Sequence, residues 1–233
     1  MAFLFKQFKI EDNQSAMKVG TDAVLLGAWV SSQNAKRILD IGTGSGLIAL
    51  ILAQKSTAKI DAIEIDQASA KQAKHNFEES DWSEQLSIKN ISLQNFCKTT
   101  SQKYDLIVSN PPFFDQSLKS PKLEKNISKH NDTLKFNELA YGIKKLLNPN
   151  GKAAIILPVT EAEKFLDKAR IEGLFLNKKL KVIPVVGSKA NRWIVEISVG
   201  KNEILENTLC IRDENRDYTR AYKNLTKAFY LNF

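Results

Sequence analysis

Cysteine and histidine are scarce in this chain, with two of each among 233 residues. Cys97 and Cys210 form no metal-ligand spacing, and so few thiols exclude a disulfide framework as the source of stability. His75 and His130 are far apart in the pattern, which leaves a metal site or a histidine base without support. Glycine (10) and proline (6) are also few, and no biased tract or internal repeat appears, arguing against a flexible multidomain string or a solenoid. No apolar stretch is long enough to span a bilayer, because residues 38–53 are interrupted by Asp40 and by glycines. The opening Met1–Ile10 lacks the shape of a signal peptide, so the expectation is a cytoplasmic protein that meets no membrane.

What is present suits one domain with a substantial core, at 43% hydrophobic residues. The expected division is a single domain over 1–233, with a cover at 1–35, a core at 36–200 and a basic extension at 201–233. The net charge of +8 favours an anionic partner. In the closing stretch Arg216, Arg220, Lys223 and Lys227 recur at helical spacing as one cationic stripe, beside an apolar stripe of Tyr218, Tyr222, Leu225 and Phe229. An amphipathic helix docked by its aromatic face would turn these cations toward phosphates, although a solvated terminal helix explains the same pattern.

Alternating strands and helices predict an α/β fold with one doubly wound, mostly parallel sheet. Arg37–Ile41 and Lys59–Glu64 read as its first two strands, with a buried helix at Leu47–Ala53 between them. A helix at Gln67–Ser80, a third strand at Leu86–Ile91 and a fourth at Tyr104–Ser109 follow. Phe136–Leu147 is an amphipathic helix stopped by Asn148-Pro149-Asn150-Gly151. Lys152–Leu157 is the fifth strand and Glu161–Glu172 a helix. Lys179–Val186 and Arg192–Val199 form an antiparallel closing pair.

Two constellations carry chemistry. Asp40-Ile41-Gly42-Thr43-Gly44-Ser45-Gly46 turns from a strand into a helix, and alternate glycines let the backbone approach a ligand closely. Free N–H groups at the helix start suit a carboxylate or phosphate. Glu64, near the end of the next strand, is placed to accept hydrogen bonds from a ribose diol. A dinucleotide fingerprint looks similar, so a nicotinamide oxidoreductase stays in play; the missing later glycine, and Asp40 placed to attract an amino group of a methionine moiety, lean toward S-adenosylmethionine.

The second constellation is Asn110-Pro111-Pro112-Phe113, directly after the fourth strand. Proline ends a ladder and holds the preceding residue extended, so Asn110 is expected at the sheet's carboxyl edge. Two prolines fix the Asn110 side-chain oxygen and the Pro111 carbonyl so that both can point at one exocyclic amino group. Two acceptors on that group favour the pyramidal geometry that frees its lone pair for alkylation. Phe113 can stack on the base that carries it, though the same tetrapeptide can also be a strand-ending turn with Phe113 in the core.

The glycine loop, Glu64 and Asn110–Phe113, in this order, resemble a class I S-adenosylmethionine-dependent methyltransferase of the amino-methylating branch. Met17–Trp29, preceded by Phe5–Ile10, is similar to the bacterial tRNA (adenine-N6)-methyltransferases that modify the base just after the anticodon of a valine tRNA. The resemblance implies a seven-stranded sheet with an antiparallel closing strand, and S-adenosylmethionine as methyl donor. It implies that Asn110 and Pro111 hold the adenine amino group, with Pro112 and Phe113 completing the catalytic turn. Gly42, Gly44, Gly46, Glu64 and Asp40 would hold the donor, Thr21 would lie near its methionine end, and Asn110 would touch it as well. Such enzymes commonly carry an acid after the third strand to contact the donor's adenine; here only Ser92 stands at that place.

Residues 114–134 break the pattern with a polar, lysine-rich stretch that leaves the sheet at the catalytic turn. Lys119, Lys122 and Lys125 are candidate RNA contacts on a lid that orders with substrate, together with Arg216, Arg220, Lys223 and Lys227. The expected protein is a monomer acting on tRNA. Rival readings are methylation of a guanine amino group in ribosomal RNA or of a protein glutamine amide, and a catalytically silent RNA-binding module.

Overall fold

The computed structural model describes residues 2–15, 18–112 and 134–232. A small hairpin, β1 (Phe3–Leu4) and β2 (Lys9–Ile10), precedes helix α1 (Thr21–Trp29). The main sheet then alternates with helices: β3 (Arg37–Ile41), α2 (Leu47–Lys55), β4 (Lys59–Glu64), α3 (Gln67–Glu78), β5 (Leu86–Asn90), α4 (Leu93–Thr99) and β6 (Tyr104–Ser109). Helix α5 (Phe136–Leu146), β7 (Leu147–Pro158), α6 (Val159–Ile171), β8 (Phe175–Val185), β9 (Arg192–Ser198), β10 (Leu205–Arg212) and α7 (Arg220–Thr226) complete it.

The eight strands lie in the order β10-β8-β9-β7-β6-β3-β4-β5. Only β9 runs against its neighbours, pairing antiparallel with β7 and β8. The expected closing pair is therefore present, but among the described residues the sheet has eight strands where seven were expected. The extra one, β10, comes from the stretch read as a basic extension and pairs parallel with β8. Its sequence, Leu-Glu-Asn-Thr-Leu-Cys-Ile-Arg, is polar through its first half because an edge strand keeps much of its surface in water, which hid it from a search for apolar runs. The hairpin β1–β2 and the short helix α4 were likewise unforeseen.

Alternation along the strands feeds two cores. Ile38, Ile60, Leu106, Val108 and Ile156 face one side, under α1, α2 and α3. Leu39, Ile41, Ile107, Ile155 and Leu157 face the other, under α4, α5 and α6. Every residue of α2 from Leu47 to Ala53 is buried, which explains its uniformly apolar sequence: one face meets the sheet and another meets α1. Gly27 permits that crossing, because a Cβ there would stand 2.7 Å from Ile51 Cγ2. Lys55 at the end of α2 seals it, donating to the carbonyls of Gly27, Ala28 and Val30 at 2.7–2.9 Å. The Asn148–Gly151 stop ends α5 as expected, yet the chain passes straight into β7, whose pairing with β6 is irregular between Tyr104 and Leu106.

Chain order reverses between β3 and β6: β4 and β5 lie on one side of β3, and β6 lies on the other. In such sheets the crevice outside the carboxyl ends at the reversal is where ligands bind.

Candidate active site

Both constellations open onto that crevice. The glycine turn leaves β3 and the Asn-Pro-Pro turn leaves β6, and these neighbouring strands are in register at Ile41 and Ser109. Buried Ser109 donates its hydroxyl to the Ile41 carbonyl at 2.8 Å, locking the two exits together. Gly42, Gly44 and Gly46 have φ of +69°, +58° and +90°, the left-handed region that a Cβ disfavours.

Two cavities meet over this turn, since Gly42 and Gly44 line both. The larger, about 680 Å³, has walls from Glu64, Asp66, Asn90, Ser92, Pro111 and Pro112. The smaller, about 330 Å³, is bounded by Lys18, Thr21, Thr43, Ser45 and Asn110. Their combined size suits a nucleoside with an attached amino-acid arm.

Glu64 lines the larger cavity, and its carboxylate braces the turn. Its Oε2 accepts the Gly44 N–H and its Oε1 the Asp66 N–H, each at 2.9 Å. Asn90, paired with Glu64 at the end of the neighbouring strand, donates to the Glu64 and Ile65 carbonyls and fixes that bend from below. Ser92 caps α4, its Oγ accepting the Asn95 N–H at 3.3 Å, and lines the larger cavity. A hydroxyl so engaged keeps its proton free to donate, the opposite polarity to the usual acid.

Asp40 and Gly46 line neither cavity. Asp40 is fully buried, and its Oδ2 accepts the Thr43 hydroxyl at 2.6 Å while its Oδ1 has no partner among the described residues. Burial pushes its carboxyl up to about 7; the Thr43 hydrogen bond opposes that rise and the nearby negative Glu64 adds to it. Gly46 is the N-cap of α2, and a Cβ there would stand 2.5 Å from Phe77 Cε1.

Asn110 is 8% exposed, and its Oδ1 lacks a hydrogen-bond partner among the described residues. A buried unpaired acceptor costs about 1–3 kcal/mol. Asn110 stands on the wall of the smaller cavity. Phe113, Lys119, Lys122 and Lys125 lie outside the described residues, as does the lid proposed around those lysines.

The C-terminal stripe differs from its helical reading. Helix α7 covers only Arg220–Thr226, and Arg216 sits in a preceding turn at φ +66°. Buried Tyr222 and Phe229 dock this segment as expected, with Arg220, Lys223 and Lys227 exposed. Tyr218 stacks on Tyr222 at 5.0 Å between ring centres, and Arg212 lies over Tyr218 at 4.0 Å.

The methyltransferase small-domain family matches residues 14–158. This chain belongs to that family. The tRNA1(Val) (adenine(37)-N6)-methyltransferase of Trichodesmium erythraeum is 45% identical over 99% of this chain and 98% of its own length. The enzyme of the same name from Bacteroides fragilis is 41% identical over 98% and 97%. A crystal structure of a predicted O-methyltransferase from Agrobacterium tumefaciens superposes with a TM-score of 0.68 over 89% of this chain and 96% of that one, at 16% identity, a likeness of fold.

The small-domain methyltransferase core thus contains the two turns on adjacent strands, and family membership ends the nicotinamide reading. The cover expected over 1–35 brings Ser15 to the larger cavity, whereas Asn90 and Ser69 were not foreseen among its lining residues. Asn90 had a usable signal, a polar residue at the carboxyl end of a parallel strand. Ser69 had none, since only folding brings it to the cavity. Among the described residues no helix is long and apolar enough to cross a membrane, and no His/Cys/Asp/Glu cluster could hold a metal.

Proposed function

We propose that this enzyme transfers a methyl group from S-adenosylmethionine to N6 of adenine 37 in a valine tRNA. The observation that carries the reading is whole-length identity of 39–45% to relatives bearing that name. The unpaired Oδ1 of Asn110 and the neighbouring Pro111 carbonyl, whose next residue has no N–H, supply the acceptors that an aromatic amine needs. Glu64 holds the ribose diol, Gly42 and Gly44 allow close approach, Thr21 bounds the amino-acid end, and Ser92 donates toward the base.

S-adenosylmethionine supplies a methyl group already activated on a sulfonium. The protein's part is therefore to orient the amine, exclude water and favour the geometry that frees the nitrogen lone pair. The methylated nitrogen loses its proton readily to solvent, so no general base is required. Asp40 acts through Thr43, fixing the turn from beneath. An anticodon-loop adenine is swung from its stack into the crevice, while Arg216, Arg220, Lys223 and Lys227 contact phosphates in the cytoplasm's tRNA pool.

Purified protein incubated with labelled donor and a valine tRNA transcript should label the RNA, and nucleoside analysis should give N6-methyladenosine. Replacing adenine 37 by guanine should abolish labelling. Label on ribosomal RNA or only on protein would overturn the assignment and favour the guanine or glutamine-amide reading.

A further inference from the structure

We propose that Ser15 is a cofactor-binding residue whose hydroxyl contacts the ribose, presented by an N-terminal strap that Asn76 and Gln72 clamp against the glycine turn. This rests on the reading that the larger cavity takes the nucleoside part of S-adenosylmethionine.

The strap is Glu11–Ser15, which follows β2 and runs along α3. Asn76 binds both sides of the Glu11 peptide, its Oδ1 accepting the Glu11 N–H at 3.0 Å and its Nδ2 donating to the Glu11 carbonyl at 2.8 Å. Gln72, one helical turn earlier, accepts the Gln14 N–H at 3.3 Å. Both amides are at least 95% buried, while the Glu11 and Gln14 groups they hold lie at the edge of the buried region. The Ser15 N–H closes the strap by donating to the Asp12 carbonyl at 3.1 Å.

So held, Ser15 lines the larger cavity directly over the glycine turn: a Cβ on Gly44 would stand 3.6 Å from its Oγ. Ser15 is 4% exposed, and its hydroxyl has no partner among the described residues. A buried hydroxyl normally finds a partner in protein, water or ligand. Here the adjoining space is the ligand's, and a turn about χ1 presents the hydroxyl to it.

The sugar is the part within reach. Ser15 lines the larger cavity and is absent from the smaller one, where Thr21 and Asn110 stand. Gly44, beneath it, gives its N–H to Glu64, the residue placed for the diol. Carboxylate and hydroxyl therefore flank the same section of the cavity. A ribose can donate to Glu64 and still offer oxygen lone pairs to Ser15.

The test is calorimetric binding of S-adenosylhomocysteine, its 2′-deoxy and 3′-deoxy analogues, and methylthioadenosine to the full-length parent and to Ser15→Ala. The variant should bind S-adenosylhomocysteine about fivefold to tenfold more weakly, the loss of ~1 kcal/mol expected for one hydrogen bond. Its thermal midpoint without ligand should match or exceed the parent's. One deoxy analogue should cost the parent more affinity than it costs Ser15→Ala. Unchanged binding by Ser15→Ala, or equal deoxy penalties in both proteins, would overturn the proposal. It would also fall if removing the amino-acid arm, as in methylthioadenosine, erased the difference between the two proteins. A parent that binds none of these nucleosides would instead overturn the cofactor reading.

Discussion

The side-chain amide of Asn76 donates to the Ser45 carbonyl across 2.8 Å, joining the last turn of α3 to the glycine turn. The same amide donates to the Glu11 carbonyl, so one buried side chain holds the turn and the strap above it. Asn76→Ala leaves the buried Ser45 carbonyl and the half-buried Glu11 groups without their partner and should cost about 2–4 kcal/mol of stability. Thermal and urea unfolding check this. A loss under 1 kcal/mol would mean that water replaces the amide.

Asn110→Ala removes the acceptor that awaits the amine while leaving the β6 exit otherwise intact. Turnover should fall roughly 10²-fold to 10³-fold, with affinity for S-adenosylhomocysteine within about threefold of the parent. Single-turnover kinetics on tRNA, paired with calorimetry, separate the two effects. Equal losses in both would place Asn110 in donor binding rather than in amine orientation.

Asp40 makes the stability of the ligand-free protein depend on pH. Its folded pKa, raised to about 7, exceeds the ordinary value of 3.8, so the folded state binds more protons between these limits. Stability from this group is full below about pH 4 and is lost as pH rises through about 7. Asp40→Asn keeps the shape and removes the charge. The variant should unfold at the parent's temperature near pH 4 and higher than the parent above pH 7, by an amount on the order of a few kcal/mol. Melting curves across pH 4–8 measure the gap, and a constant gap would show that the Asp40 charge is stabilised by contacts beyond Thr43.

Gly46→Ala tests packing at the head of α2. A Cβ there would meet Phe77 Cε1 at 2.5 Å on a backbone with φ of +90°. The expected cost is about 2–4 kcal/mol. Adding Phe77→Leu should recover part of it by relieving the clash. No recovery would assign the whole cost to the left-handed backbone.

Much of this molecule was legible locally. Strands β3 and β6 are buried along most of their length, so their apolar runs announce themselves, and Gly42, Gly44 and Asn110 follow their ends because a turn and a ladder stop each demand particular residues. Strand β10 escaped because an edge strand needs no apolar run. Arg216 was assigned to a helix because periodicity continues through a sequence even where the backbone has turned away.

Residue order alone determined the alternating α/β architecture, the two functional turns and the kind of chemistry they serve, since these depend on local sterics and on donors and acceptors within a few positions. Tertiary structure decided that β3 and β6 lie side by side, that Asp40 is sealed beneath the turn, and that Ser15 and Asn76 reach it from distant parts of the chain. Those outcomes depend on burial and on long-range hydrogen bonds, which no local pattern encodes because the partners meet only when the sheet has formed.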